Sequence, residues 1–111
     1  VKKEVLAAGD MSTVITGYCT DEPCRQIKNK LADEMISIEA NNTKEKAAEL
    51  LRPVAESSLR KAMGEGDMDD GAVMAGQIVP LVKEEKPALQ IIDDAIAQAK
   101  EILNHMSAFE F

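Results

Sequence analysis

Aromatic residues are nearly absent from this 111-residue chain, which contains no Trp, one Tyr and two Phe. Both Phe lie within the last three positions, so the body of the chain must pack on Leu, Ile, Val, Met and Ala. This composition favours helices over a β-sandwich, whose strands are usually rich in Val, Thr, Tyr and Phe. The length suits one domain with a small core.

Basic residues are outnumbered, 13 against 20 acidic ones, and the net charge is −7. Because phosphate binding requires a basic face, we expect no nucleic acid partner. No apolar run approaches the roughly 18 residues that a membrane span needs. We therefore expect a cytoplasmic protein without a membrane partner.

The two cysteines and the single histidine do not form a recognisable site. Cys19 and Cys24 lack the CxxC spacing of zinc and redox motifs, and the chain has no second pair, so we expect two reduced thiols. His105 lies near the C-terminus without a polar cluster around it. We predict no catalytic residue and no metal site. Because the chain starts at Val1 and not at Met, we also expect it to be a piece of a longer protein.

Apolar residues recur every three to four positions in several segments, which predicts a mainly helical fold. Predicted helices cover residues 2–8, 29–40, 43–63 and 87–106. Residues 12–17 predict a short strand, and residues 24–27 are either a second strand or the first turn of a helix. The last helix carries an apolar stripe formed by Ala88, Ile92, Ala95, Ala99, Ile102 and Met106.

Three local features predict where the helices begin and end. Asn42 stands three residues before a Glu, which resembles a capping box at the start of the third helix. Pro53 is expected to kink or divide that helix. The acidic loop 66–71 does not match an EF-hand, so we expect Asp69 or Asp70 to cap the helix that follows.

An apolar segment, residues 72–85, contains Gly76 and Pro80, which a core helix would avoid. Such local inconsistency is typical of functional sites. Gly76 would let the backbone approach a flat ligand, and Gln77 supplies a donor and an acceptor. The alternative is that Gly76 lets another helix pack closely.

Two motifs resemble those of a known family. The sequence GEGDMDDGAVMAGQI at 64–78, followed by LVKE at 81–84, is similar to the C-terminal portion of the FMN-dependent enoyl-acyl-carrier-protein reductases. The related nitronate monooxygenases, formerly called 2-nitropropane dioxygenases, share this pattern. DMSTVITG at 10–17 and PCRQIKNKL at 23–31 resemble the family's run D-T-x-V-T-G … P-V-R-x-L-K-N-x-L. With residues 1–8, these matches span nearly the whole chain in family order.

The resemblance implies that the chain is the helical C-terminal part, with one or two short strands, of an FMN-binding TIM-barrel-type α/β enzyme. Segment 1–71 would be substrate-side and mainly helical, and 72–111 would form C-terminal helices that pack back on the barrel. The barrel, its phosphate-binding loops and the family's catalytic His would precede Val1, and His105 does not correspond to that His.

The family's M-A-G-Q stretch, which lies near the flavin, corresponds to four residues here. The candidate cofactor-binding residues are therefore Met74, Ala75, Gly76 and Gln77.

The implied parent is an FMN-dependent, NAD(P)H-linked oxidoreductase of fatty acid biosynthesis that reduces an enoyl thioester. A nitronate monooxygenase is equally compatible with the motifs. We expect no catalysis from the 111 residues alone. The expected partners are the remainder of the barrel enzyme and the substrate, and homo-oligomer formation is left open. The alternative is an acidic helical protein-interaction module without catalysis.

Overall fold

The two predicted strands pair with each other as an antiparallel hairpin. In the computed structural model, which describes residues 1–106, strand β1 (Thr13–Thr16) pairs along its length with β2 (Cys24–Ile27). A 3-10 turn at Tyr18–Thr20 lies between them. Residues 24–27 are thus a strand and not the first turn of a helix, since their backbone bonds are taken up by β1.

Helices make up most of the rest of the described chain. The α-helices are α1 (Lys2–Ala7), α2 (Lys30–Asn41), α3 (Lys44–Ala55), α4 (Ser58–Arg60) and α5 (Ala88–Met106). A π-helical turn spans Lys61–Glu65, and a second 3-10 turn spans Val79–Leu81. Helical residues amount to 59% of the described chain, which confirms the prediction of a mainly helical structure.

The cap of α3 lies one residue later than predicted. Thr43 is the N-cap, and its hydroxyl oxygen accepts a hydrogen bond from the Lys46 N–H at 3.4 Å. The Asn42 side chain instead donates to the Ile38 carbonyl at 2.9 Å, so it closes the end of α2. The assignment of Asn42 as the cap is wrong because its side chain is used by the preceding helix.

The predicted division of the third helix occurs, but not at the proline. Helix α3 continues through Pro53, which lacks only the N–H that would donate to the carbonyl four residues earlier, and the helix ends two residues later at Ala55. The chain turns at Ser57, whose φ of +60° is in the left-handed region, and α4 follows.

The acidic loop does not cap a helix. Asp67 accepts hydrogen bonds from the backbone N–H groups of Asp69 and Asp70, at 3.0 and 2.9 Å. These bonds, that from Asp70 foremost, lower the pKa of Asp67. The predicted cap at Asp69 or Asp70 is wrong because residues 72–75 run alongside β2 instead of starting a helix.

Two clusters of buried apolar side chains form the core. One joins α2 to α3 and is formed by Cys19, Leu31, Met35, Ala47, Leu51 and Ala72. The other is formed by Ala8, Ile27, Ala62, Val73 and Val79. Cys19 and Cys24 are free thiols, as predicted, and burial together with nearby Glu39 raises the pKa of the Cys19 thiol.

Helix α5 has no buried residue, and its apolar stripe is exposed, with Ile92 at 56% and Ile102 at 60% exposure. Lys86 precedes it and pairs with Asp94 at 2.7 Å and Glu84 at 2.8 Å, and both carboxylates raise the pKa of Lys86.

No helix within residues 1–106 is long and apolar enough to cross a membrane. The last five residues of the predicted segment 72–111 lie outside the described part, and its packing on a barrel stays a prediction.

Candidate functional site

The candidate cofactor-binding segment, Met74–Gln77, begins as an extended strand beside β2. The Ile27 N–H donates to the Val73 carbonyl at 2.9 Å, and the Ala75 N–H donates to the Arg25 carbonyl at 3.3 Å. Met74 therefore stands opposite Gln26 in a single antiparallel bridge. These bonds fix the first half of the segment against the hairpin.

The other edge of this segment is open. Because Val73 and Ala75 direct their bonded groups toward β2, the N–H and C=O of Met74 point to the opposite side. Neither group, nor the Gln77 side chain, makes a hydrogen bond within residues 1–106. Met74 is 47% exposed, and Gly76 and Gln77 are also exposed. This edge can bind a group from outside the chain.

Gly76 is not required by the packing of the described residues. A Cβ built on it would meet only the Ile78 side chain, at 4.0 Å, and its φ is not in the left-handed region. The alternative that Gly76 lets another helix pack closely has no such helix within residues 1–106. Two other glycines contrast with it: a Cβ on Gly71 would lie 2.2 Å from the Asp67 carbonyl oxygen, and Gly17 has a φ of +88°.

Asn29 joins the two sequence motifs in space. Its side-chain oxygen caps α2 by accepting the Ala32 N–H at 3.0 Å. Its side-chain nitrogen donates to the carbonyls of Met68 and Gly71, at 2.8 and 2.7 Å. The acidic loop is thereby held at the start of α2, directly before the strand that leads to Met74. Sequence analysis missed this role, although an Asn before a helical pattern is a typical cap.

Arg25 lies beside the candidate segment. Together with Cys24 it lines a shallow groove whose other wall is Met74, Ala75 and Gly76. Its guanidinium donates to the Thr13 hydroxyl at 3.0 Å, and it forms no ion pair within the described residues. Sequence analysis missed this neighbour because the pairing of residues 72–75 with β2 is not visible in the local pattern.

A larger cleft, of about 830 Å³, opens on the other side of Met74. Its walls come from the hairpin and from the turn between α3 and α4. The lining side chains include Gln26, Met35, Leu51, Leu59 and Met74. Ser57, with its left-handed backbone, also lies on the wall, and such strain is concentrated at functional sites.

Glu39 orders the loop at one end of this cleft. Its carboxylate accepts hydrogen bonds from the backbone N–H groups of Cys19, at 2.9 Å, and Gly17, at 3.2 Å. Because α2 carries Glu39, the helix fixes the hairpin turn that leads into β2. Each of the two carboxylate oxygens thus accepts one backbone N–H in this structural role.

Groups that could bind a metal ion are absent among the described residues, since no three His, Cys, Asp or Glu side chains come together. His105 lies on exposed α5, remote in sequence from the candidate segment. What the described arrangement offers is a backbone edge, an exposed amide and a cleft, which can bind and orient a ligand.

Comparison with known proteins finds similarity among solved structures. No family model matches the chain, and neither does any curated protein. A solved structure of FabK from Thermotoga maritima matches with a TM-score of 0.88 and 29% identity, over 98% of this chain and 33% of that one. A methionine-to-alanine mutant of the same FabK matches with a TM-score of 0.76 and 27% identity, over 98% of this chain and 31% of that one.

This chain therefore spans about a third of the length of the structures that it matches. The similarity confirms the resemblance to the FMN-dependent enoyl-acyl-carrier-protein reductases and is consistent with their C-terminal portion.

Proposed function

We propose that this chain is the C-terminal part of an FMN-dependent enoyl-acyl-carrier-protein reductase of fatty acid biosynthesis, and that it forms one wall of the flavin site. The supporting observation is the FabK-like structure over 98% of the chain, at a TM-score of 0.88. The reductase is favoured over the nitronate monooxygenase because the matched structures are of FabK.

The candidate segment fits a flavin. A flavin ring is flat, and its polar edge carries both hydrogen-bond donors and acceptors. Gly76 has no side chain to prevent a flat group from approaching, and open space surrounds it. The unpaired backbone groups of Met74 and the exposed amide of Gln77 supply donors and acceptors for the ring edge.

The chemistry of the reaction is supplied by the cofactor, which when bound passes a hydride from NAD(P)H to the enoyl thioester. Residues of this chain orient the ring and exclude water from one side of it. The bond from the Ala75 N–H to the Arg25 carbonyl holds this part of the segment against β2 before any ligand binds. None of these residues donates the proton that completes the reduction.

The remainder of the barrel enzyme is the partner proposed for α5. Its exposed stripe includes Ile92, Ile102 and Met106, and a contiguous apolar face of this kind marks an interaction surface. About two thirds of the matched FabK chain lies outside the similarity. We assign the covering of α5 to the corresponding part of the parent protein.

The proposal is tested by Gly76→Leu in the longer protein that contains this chain. A leucine side chain would occupy the space assigned to the ring, and overpacking of this kind typically costs about 1–3 kcal/mol. FMN affinity should fall roughly ten- to hundredfold. Gln77→Ala should weaken it less, by roughly two- to tenfold, since one neutral hydrogen bond contributes about 0.5–1.5 kcal/mol.

Gly64→Leu is the matched control, because Gly64 is also exposed and a Cβ there meets only the flexible Arg60 side chain at 3.8 Å. It should leave FMN affinity unchanged. If Gly76→Leu lowers the melting temperature but leaves FMN affinity and turnover intact, Gly76 is a packing residue and the cofactor assignment is wrong. Turnover of a nitronate with O₂, without reduction of an enoyl thioester, would replace the reductase by the monooxygenase.

A further inference from the structure

A buried acceptor in the cleft has no partner. Gln26 is only 1% exposed, and its side-chain nitrogen donates to the Thr16 hydroxyl at 3.0 Å and to the Met35 sulfur at 3.5 Å. Its side-chain oxygen accepts no hydrogen bond within residues 1–106. Buried polar atoms are nearly always paired, and an unpaired one is costly. Because Gln26 lines the cleft, a donor from a ligand bound there would satisfy this oxygen.

The cleft suits an uncharged ligand. Much of its wall is apolar, including Met35, Leu51 and Leu59. The charged residues on the wall are Glu22, Glu56 and Arg52, so acidic groups outnumber basic ones. A phosphate or carboxylate would find no excess of positive charge here. The volume of about 830 Å³ lies within the range of small-molecule sites.

The cleft is continuous with the candidate cofactor segment. Met74 and Cys24 line both the cleft and the shallow groove beside Gly76. A ligand that fills the cleft therefore ends next to the residues assigned to the flavin. One molecule can have its reacting end at the ring and the rest of its length in the cleft.

We infer that this cleft receives the uncharged, amide-bearing arm of an acyl thioester, and that the Gln26 side-chain oxygen accepts the N–H of an amide in that arm. The inference rests on the proposed function, and it assigns a part of the substrate to a place. A hydrocarbon acyl tail in the cleft would leave the Gln26 oxygen unpaired, whereas an amide satisfies it. Gln26 is thus a specificity residue for the thioester arm.

The test compares two saturated thioesters that bind without reacting at a double bond. S-butyryl-N-acetylcysteamine carries one amide N–H, and S-ethyl thiobutyrate carries none. Each is titrated into the longer protein that contains this chain, without FMN or NAD(P)H, and binding is followed by backbone amide chemical shifts. We expect shifts at Gln26, Ser58 and Met74 and none along α5. The amide-bearing ligand should bind roughly two- to tenfold more tightly than the amide-free one, the range for one neutral hydrogen bond.

Gln26→Met removes the acceptor while keeping a side chain of similar length. It should weaken the binding of S-butyryl-N-acetylcysteamine by roughly two- to tenfold and leave that of S-ethyl thiobutyrate unchanged. Gln98→Met, on exposed α5, is the matched control and should change neither affinity.

Equal affinities of the two ligands for the unmodified chain would overturn the inference, and so would shifts confined to residues outside the cleft. The comparison of ligands needs no variant, so it holds even if Gln26→Met fails to fold. This experiment uses neither flavin nor NAD(P)H. A negative result therefore leaves the reductase proposal standing, because that proposal is tested separately by the FMN affinity of Gly76→Leu.

Discussion

Asn29 provides a stringent test of how the two halves of the chain are held together. Its side chain makes three hydrogen bonds, one to the first turn of α2 and two to carbonyls of the acidic loop at Met68 and Gly71. Asn29→Ala removes all three. The loop would keep the bond from the Leu31 N–H to the Asp69 carbonyl and the Lys30–Asp70 ion pair, but it would lose its bonds at Met68 and Gly71.

The expected loss of stability follows from these bonds. Loss of an Asn cap costs about 0.5–2 kcal/mol. Each of the two bonds to loop carbonyls contributes about 0.5–1.5 kcal/mol net. Asn29→Ala should therefore lower the free energy of unfolding by about 1.5–5 kcal/mol. At roughly 4 °C per kcal/mol for a chain of this size, the melting temperature should fall by about 6–20 °C.

Asn29→Asp separates the capping bond to Ala32 from the two bonds that the side chain donates to the acidic loop. The carboxylate keeps the capping oxygen and gains a favourable interaction with the helix N-terminus. It cannot donate, however, and it would face the Met68 and Gly71 carbonyl oxygens. We expect Asn29→Asp to be about as destabilising as Asn29→Ala.

Urea unfolding and thermal melts, both followed by far-UV circular dichroism, measure the two variants. If Asn29→Asp is as stable as the unmodified chain, Asn29 acts only as a cap and the loop is held by other contacts. That outcome would refute the role given to the two donated bonds.

Three further predictions follow from local geometry. Gly71→Ala should destabilise the chain by about 1–3 kcal/mol in urea unfolding, because its Cβ would lie 2.2 Å from a backbone oxygen. An equal loss of stability for Gly76→Ala would contradict this reasoning. A thiol reagent should label exposed Cys24 quickly and buried Cys19 only on unfolding. Equal labelling rates in the native chain would show that the cluster around Cys19 is open to solvent. The pKa of Asp67 is lowered on folding, so its contribution is present above the ordinary value of 3.8 and is lost as the pH falls through the lowered value. Asp67→Asn should accordingly flatten the fall in stability below about pH 4, and an unchanged acid profile would show that Asp67 does not contribute.

Local pattern was sufficient for some of the elements and not for others. The apolar spacing predicted α2 and α5, and the β-branched run predicted β1, because helix and strand periodicities depend on near neighbours. The predictions of helix caps were less accurate. Thr43 and not Asn42 caps α3, because adjacent polar residues compete for the same helix terminus and only the backbone path selects between them. The break that was predicted at Pro53 lies instead after Ala55, where Glu56 leaves helical geometry and Ser57 is left-handed.

The family motifs identified the candidate cofactor residues, but the motifs alone did not say what surrounds them. Three features depend on hydrogen bonds between residues far apart in the chain: the extended backbone at Met74, its neighbour Arg25, and the bonds from Asn29 to the acidic loop. No local window contains both partners of such a bond, so periodicity and propensity could not predict them.

The amino-acid sequence by itself determined the mainly helical character, the positions of most elements and the resemblance to the reductase family, because each depends on neighbouring residues or on contiguous motifs. Only the tertiary structure decided that residues 72–75 extend beside β2, that α5 leaves its stripe uncovered, and that Gln26 lines a cleft with an unpaired oxygen. These features result from the way distant segments pack, where burial and the pairing of polar groups are settled together across the whole chain.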